Sequence, residues 1–218
     1  MKVVLNGHEV TDAFGADETL GRALLVVQDQ HIDQARVIST ITLDGEPLTA
    51  QNLSEWKDRP VQDFREAQID APQKDELASH SLRILAQGLE ESHQDREDLV
   101  KLVHQGRSEQ AIQQLTGYLR IWESLQQSLG SVERLLDIDL NETEVFSVKP
   151  PQDADWETTR VVDLIRLLSS RLDDMKQALE ATDLVLLGDI LDYDFADLTR
   201  DWNAVLVELA DRLGTPAN

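Results

Sequence analysis

Between Val161 and Leu179 the residues Val161, Ile165, Leu168, Leu172, Met175 and Leu179 recur at spacings of four, three, four, three and four. That spacing predicts a helix with one narrow apolar seam. Arg160, Asp163, Arg166, Arg171, Asp173, Asp174 and Lys176 occupy the other faces, so the seam must be covered by another element. Three further stretches carry seams of the same kind. The first runs Ala78, Leu82, Leu85, Leu89, Ser92, Arg96, Leu99, Val103 and the second Ile112, Leu115, Leu119, Trp122, Leu125, Leu129, Val132, Leu136. The third runs Leu184, Leu187, Leu191, Phe195, Leu198, Trp202, Val205, Leu209. Seams of matching period imply an antiparallel bundle of four to five helices inclined at about 20°. Ser92 and Arg96 put polar side chains on the first seam, which predicts either a break near residues 92–95 or a stretch that emerges into solvent.

The chain ahead of the bundle has a different period. Val3 and Leu5 alternate with polar neighbours, Asn6-Gly7 offers a tight hairpin turn, and Glu9-Val10 begins a return strand. A helix is expected from about Asp17, with Leu20, Leu24, Val27 and Ile32 on its apolar face. Alternation returns from Arg36 to Leu43 through Val37 and Ile41, a second turn signal stands at Asp44-Gly45, and Leu53 and Trp56 suggest a short helix before Pro60. Val61 to Ala71 reads as a last strand carrying Phe64, Ala67 and Ile69. The order hairpin, helix, strand, turn, short helix, strand over residues 1–71 resembles the β-grasp, or ubiquitin-like, fold. One branch of that fold consists of sulfur carriers, which need a free C-terminal Gly-Gly. Here the strand runs through Ile69-Asp70-Ala71-Pro72 into a helix, so the resemblance implies a compact recognition module instead. The expected class is therefore α+β, mostly α: a small β-grasp-like domain over 1–71 and a helical bundle over 72–218, with Pro72 as the joint.

Within the helical half, Gly106 suits a left-handed helix end and Ser108 an N-cap. Gly117 and Gly130 lie inside the second helix and suggest a bend or a close helix contact. Asp137 to Asp155 is the one long connection, with a candidate strand at Val145-Phe146-Ser147-Val148, and the helix bearing the Val161 seam is expected from about Trp156 to Glu180. Trp122, Trp156 and Trp202 fall on or beside seams and read as core. Trp56 is the better candidate for an exposed contact.

The 218 residues carry 20 basic and 42 acidic side chains, a formal net charge of −22. A surface of that sign repels nucleic acid and anionic lipid, so neither is expected as a partner. No cysteine is present, which removes disulfides, thiolate zinc sites and cysteine nucleophiles. No apolar run reaches the roughly 20 residues that cross a bilayer, and a cytoplasmic location is expected.

Three constellations invite a chemical reading. Glu90-x-x-His93 matches the helix motif of di-iron carboxylate bundles, but that chemistry needs the motif twice and it occurs once. Asp137-x-Asp139-x-Asn141 resembles the opening of a calcium loop, with Glu142 where a glycine is required and Val148 where the bidentate acid belongs. Asp189, Asp192, Asp194, Asp197 and Asp201 form the densest anionic stretch, and helical spacing puts Asp194, Asp197 and Asp201 on one face. Glycine-rich phosphate loops and the nucleophile elbow are absent, and His8 and His31 have no paired nucleophile at a suggestive spacing.

These patterns favour a protein that is not an enzyme and holds no cofactor or metal. The expectation is a protein-binding adaptor or chaperone-like scaffold whose partner is basic or helical, contacted through Trp56 or through Asp194, Asp197 and Asp201. Two alternatives stand beside it: a structural homodimer paired through the seams, and a bundle metalloprotein using Glu90 and His93. The helical half also resembles the small chaperones of bacterial flagellar export, through Gly106-Arg107-Ser108-Glu109-Gln110-Ala111 and the leucines that follow.

Overall fold

The computed structural model describes residues 1–10, 14–15, 18–146 and 158–214. It comprises two units, Met1–Leu77 and Ala78–Asn218. The division lies a few residues beyond the joint suggested at Pro72.

The first unit is a mixed five-stranded sheet with one long helix. Its elements are β1 (Lys2–Leu5), β2 (His8–Val10), α1 (Leu20–His31), β3 (Thr40–Leu43), β4 (Glu46–Pro47), α2 (Ala50–Trp56) and β5 (Glu66–Asp70). The strands lie in the order β2-β1-β5-β3-β4, with β1 and β5 parallel and the other pairs antiparallel. This is the sheet order of a β-grasp unit. Val3, Leu43, Ala67 and Ile69 of the sheet bury against Leu20, Leu24 and Val27 of α1, with Phe64 closing the core.

Both sequence-level turns form as expected, and each holds a non-glycine residue at positive φ: Asn6 at 49° and Asp44 at 50°. Their side chains explain why these residues are there. Asn6 clasps Ala71, accepting from its N–H at 2.7 Å and donating to its carbonyl at 3.1 Å. Asp44 Oδ1 accepts from the N–H groups of Arg65 at 2.9 Å and Glu66 at 2.8 Å. The central strand β5 is thus gripped at both ends by the turns of its two neighbours.

Several boundaries differ from those expected. Helix α1 is capped by Thr19, whose hydroxyl accepts from Arg22 N–H, while Asp17 lies outside the described residues. Arg36 to Ser39 precede β3 and bond at isolated points to the last residue of β5 and the chain beyond it, as in Ser39 N–H to Asp70 O and Val37 N–H to Pro72 O, without forming a ladder. The last strand is preceded by a 3₁₀ turn at Val61–Asp63, because Pro60 and the turn hydrogen bonds hold that stretch off the sheet.

The second unit is helical. It contains α3 (Lys74–His104, its first turn in the first unit), α4 (Ser108–Leu136), α5 (Val161–Glu180), α6 (Leu184–Asp189), a π-helical turn (Ile190–Asp194) and α7 (Phe195–Gly214). One apolar cluster runs through all of them, centred on Leu82, Leu89, Leu125, Leu168, Phe195 and Trp202. The α3 seam is buried throughout, including Ser92 and Arg96, and α3 is one unbroken helix. The break or exposure expected at those two residues does not occur, because the Ser92 hydroxyl donates to Leu89 O and Arg96 donates to carbonyls of the π-helical turn.

The second seam is rotated slightly: Ala111 and Tyr118 are buried while Ile112 is exposed and Leu119 half-buried. Ser108 is the first helical residue, and the N-cap position is Arg107. Close helix approach occurs at Gly88, against Ile121, and at Gly188, against His104 and Val103, whereas Gly117 meets nothing and Gly130 only the tip of Arg134. In the connection, β6 (Glu144–Phe146) pairs antiparallel with β7 (Thr158–Arg160), and this strand displaces the expected start of α5 to Val161. Ser147, Val148 and Trp156 lie outside the described residues.

Replacing Asn6 by glycine keeps the positive φ accessible and removes only the clasp on Ala71. We expect a loss of roughly 1–2 kcal/mol, measured by urea denaturation of the full chain. Unchanged stability would show that the clasp contributes nothing.

Candidate functional site

The third seam carries a spacing that the others lack. Leu187, Leu191 and Phe195 are separated by two consecutive fours, which in a regular α-helix would drift off the core-facing stripe. The π-turn absorbs the extra residue: Phe195 N–H donates to Ile190 O, five residues back, and Leu187, Leu191 and Phe195 all stay buried. A π-turn redirects carbonyls, and Arg96 receives two of them. Its Nη1 donates to Leu191 O at 3.0 Å and Asp192 O at 3.1 Å, and lies 3.6 Å from Asp192 Oδ1. Arg96 is only 4% exposed, so α3 holds this guanidinium at the core edge of the last rod, the continuous run of α6, the π-turn and α7 (Leu184–Gly214).

Beside this contact, α3 and α7 form an open groove of about 460 Å³ lined by Glu90, His93, Asp197, Thr199, Arg200 and Asn203. His93 ties it to the buried arginine. Its Nδ1 is 3.3 Å from Arg96 Nη2, and its Nε2 is 3.1 Å from Glu97 Oε1. Asn203 donates to Ala86 O at 2.9 Å across the helix pair, and the Thr199 hydroxyl, on the groove floor, donates to Phe195 O at 2.7 Å. Behind Thr199 lies a buried polar cluster in which the Tyr118 phenol stands beside Thr199, Trp122 and Arg96, and Arg96 Nε is buried without a hydrogen-bond partner among the described residues. Burial pushes the Tyr118 phenol above its ordinary value.

The aspartates singled out from the sequence separate into different settings. Asp194, half-buried, pairs with Arg171 of α5 at 3.3 Å. Asp197 is exposed on the groove wall and pairs with Arg200 at 2.9 Å. Asp201, half-buried, lies 3.3 Å from the same arginine. Burial raises the Asp201 carboxyl above its ordinary value, and the attraction of Arg200 opposes that shift. Trp56 is half-buried against Phe64, with ring centroids 5.9 Å apart.

Glu90 and His93 both line the groove, but among the described residues no group of three His, Asp or Glu side chains converges for a metal. The Asp137 to Asn141 loop is closed on itself: Asp137 ends α4 at a left-handed φ of 55°, Asp139 Oδ1 accepts from Asn141 N–H, and Glu133 Oε1 accepts from Leu140 N–H. Sequence reasoning missed the roles of Arg96 and Thr199. The double-four spacing was the available signal.

The architecture is that of a small mixed-sheet domain followed by a mostly apolar-cored set of helices with a polar groove. Residues 81–205 match the model of a domain of unknown function, DUF8042, and residues 1–71 match that of the TP0873 N-terminal domain. The first match takes in more than half of the chain, and the chain belongs to the DUF8042 family. Neither description names an activity or a flagellar chaperone. No curated protein and no solved structure matches the chain. Among the described residues, no helix is long and apolar enough to cross a membrane.

A lysine ammonium cannot span two carbonyls as a guanidinium does, so Arg96→Lys should destabilise the helical unit by roughly 1–3 kcal/mol and Arg96→Ala by roughly 3–5 kcal/mol in denaturant melts. Equal stability of all three proteins would remove the role given to Arg96. The half-buried Asp201 carboxyl makes stability depend on pH. A carboxyl with a raised folded-state pKa supports folding when protonated, at acid pH, and loses that support as the pH rises through its raised value. Asp201→Asn should therefore gain stability relative to the parent at neutral pH, and the gain should vanish below the carboxylate range. A gain that grows on acidification would contradict the burial argument.

Proposed function

We propose that the protein is a non-catalytic, protein-binding adaptor or chaperone-like scaffold, cytoplasmic, with a helical unit that receives a basic or helical partner. The observation that carries this reading is the open groove between α3 and α7, with acid on both walls in Glu90 and Asp197. A groove between two helices can receive a partner helix, and this one, lined by Glu90, His93, Asp197, Arg200 and Asn203, meets it through polar and charged contacts in which Glu90 and Asp197 favour a cationic partner. The chain's −22 charge argues against nucleic acid and anionic membrane as the thing bound. The β-grasp unit serves in this reading as a second recognition module. Its sheet face carries Lys2, Glu66, Gln68, Thr40 and Asp70, joined by Lys2–Glu66 and Thr40–Asp70 contacts. That polar face supports docking through hydrogen bonds and ion pairs rather than through apolar burial.

A photo-crosslinking amino acid in place of Ala204, in the groove, tests the reading in full-length protein expressed in its own cells. The expected product is an adduct with a distinct polypeptide, lost when Glu90 and Asp197 are changed to lysine and not formed from a probe at Ile112 on α4. Adducts only with a second 24.6 kDa copy would favour the homo-oligomer instead. Absence of any adduct specific to the groove would contradict the adaptor reading.

A further inference from the structure

The outer face of the last rod, just before the groove, carries an apolar surface in the most acidic part of the chain. Val185 is 73% exposed, Leu186 45% and Tyr193 67%. Val185, Asp189 and Tyr193 follow one another at spacings of four, and Leu186 and Tyr193 at seven, so all four lie on one face across the π-turn. Asp197 continues that face by another step of four, onto the groove wall. The turn and the residues before it bury the opposite face, Leu187, Gly188, Ile190 and Leu191, so the apolar side chains on the outside are not part of the core.

The charge around this face is one-sided. Between Lys176 and Arg200 the chain contains no lysine or arginine, and Asp183, Asp189, Asp192, Asp194 and Asp197 fall in the interval. Arg96 and Arg171 reach Asp192 and Asp194 from α3 and α5, and Arg200 reaches Asp197. Asp183 spends one carboxylate oxygen on the N–H of Leu186, capping α6. Asp183 and Asp189 have no ion-pair partner among the described residues.

We infer that this face, Val185, Leu186 and Tyr193 with Asp183 and Asp189 at its edge, docks a cationic amphipathic helix of a partner protein. The inference rests on the adaptor reading and names the partner's chemistry. Leucine-like side chains of the partner cover the exposed aliphatics and the tyrosine ring, and its lysines or arginines meet the two unneutralised aspartates. Charge excludes the competing occupants: a second copy of this chain brings another −22, and an anionic bilayer brings more negative charge still. Tyrosine suits such a contact because its ring supplies area at little entropic cost and its hydroxyl stays in water.

The test uses the full chain and a labelled lysine–leucine helical peptide with leucines at i, i+3, i+4 and i+7, beside a scrambled peptide of the same composition. Fluorescence anisotropy should show the ordered peptide binding about tenfold or more tighter than the scrambled one, with affinity falling as salt is raised. Val185→Ser, Leu186→Ser and Tyr193→Ser together should weaken it by about tenfold or more, Tyr193→Ser alone by part of that, and Ile84→Ser, at an exposed position on α3, should leave it unchanged. Circular dichroism confirms that the variants remain helical. Equal binding of the scrambled peptide, or binding untouched by the triple substitution, would overturn the inference. Self-association of the free protein that the triple variant abolishes would also overturn it, in favour of a second copy. If the groove crosslink forms while the peptide result is negative, the adaptor reading stands and only this surface fails.

Discussion

The contact of Arg96 with the π-turn organises the helical unit. A guanidinium at a seam position is costly unless its donors are met, and a π-turn is costly unless its displaced carbonyls are met. Here the two meet at Arg96 Nη1, which donates to Leu191 O and Asp192 O, while Arg96 Nε stays without a partner among the described residues. The same turn keeps Leu187, Leu191 and Phe195 on the core side while throwing Tyr193 outward. Removing the arginine therefore disturbs more than an ion pair. It releases the point at which the last rod changes pitch, and with it the wall of the groove and the outer apolar face.

Much of the fold was legible because it depends on periodicity and turn chemistry. The α3 seam at Ala78, Leu82, Leu85 and Leu89 buries as its spacing implies, and Asn6-Gly7 and Asp44-Gly45 make the turns that such pairs favour. What could not be read was decided by partners distant in sequence. Arg96 looks like a fault in a seam until the carbonyls of residues 191 and 192 are beside it. Ile112 and Ala111 are equivalent to a period, and only packing chooses the smaller residue for the interior. The strand at Thr158–Arg160 displaces a helix start because it finds Glu144–Phe146; the sequence suggests a strand at Val145-Phe146 but nothing local marks the partner it takes.

The candidate site was legible in part. Glu90, His93 and Asp197 were each conspicuous in the sequence, and the structure brings them to one groove, yet nothing in their spacing placed α3 against α7. Asp194, Asp197 and Asp201 share a helical face, but Asp194 pairs with Arg171 and Asp197 and Asp201 share Arg200, and Asp194 and Asp201 are half-buried while Asp197 is exposed, so the expected stripe is unevenly exposed. The apolar residues that accompany the acids, Val185, Leu186 and Tyr193, fall between residues of the seam that fills the core. Exposure, which depends on the neighbouring rods, separates them from it.

The grip of Arg96 on the π-turn is the contact on which the rest of the helical unit turns. Amide hydrogen exchange on the parent and on Arg96→Met, resolved to residues 190–197, measures that dependence without reference to any partner. The account predicts that exchange in this stretch accelerates selectively, with Leu168 to Met175 in α5 retaining their protection. Unchanged protection of residues 190–197, or an acceleration spread evenly over every helix, would contradict it.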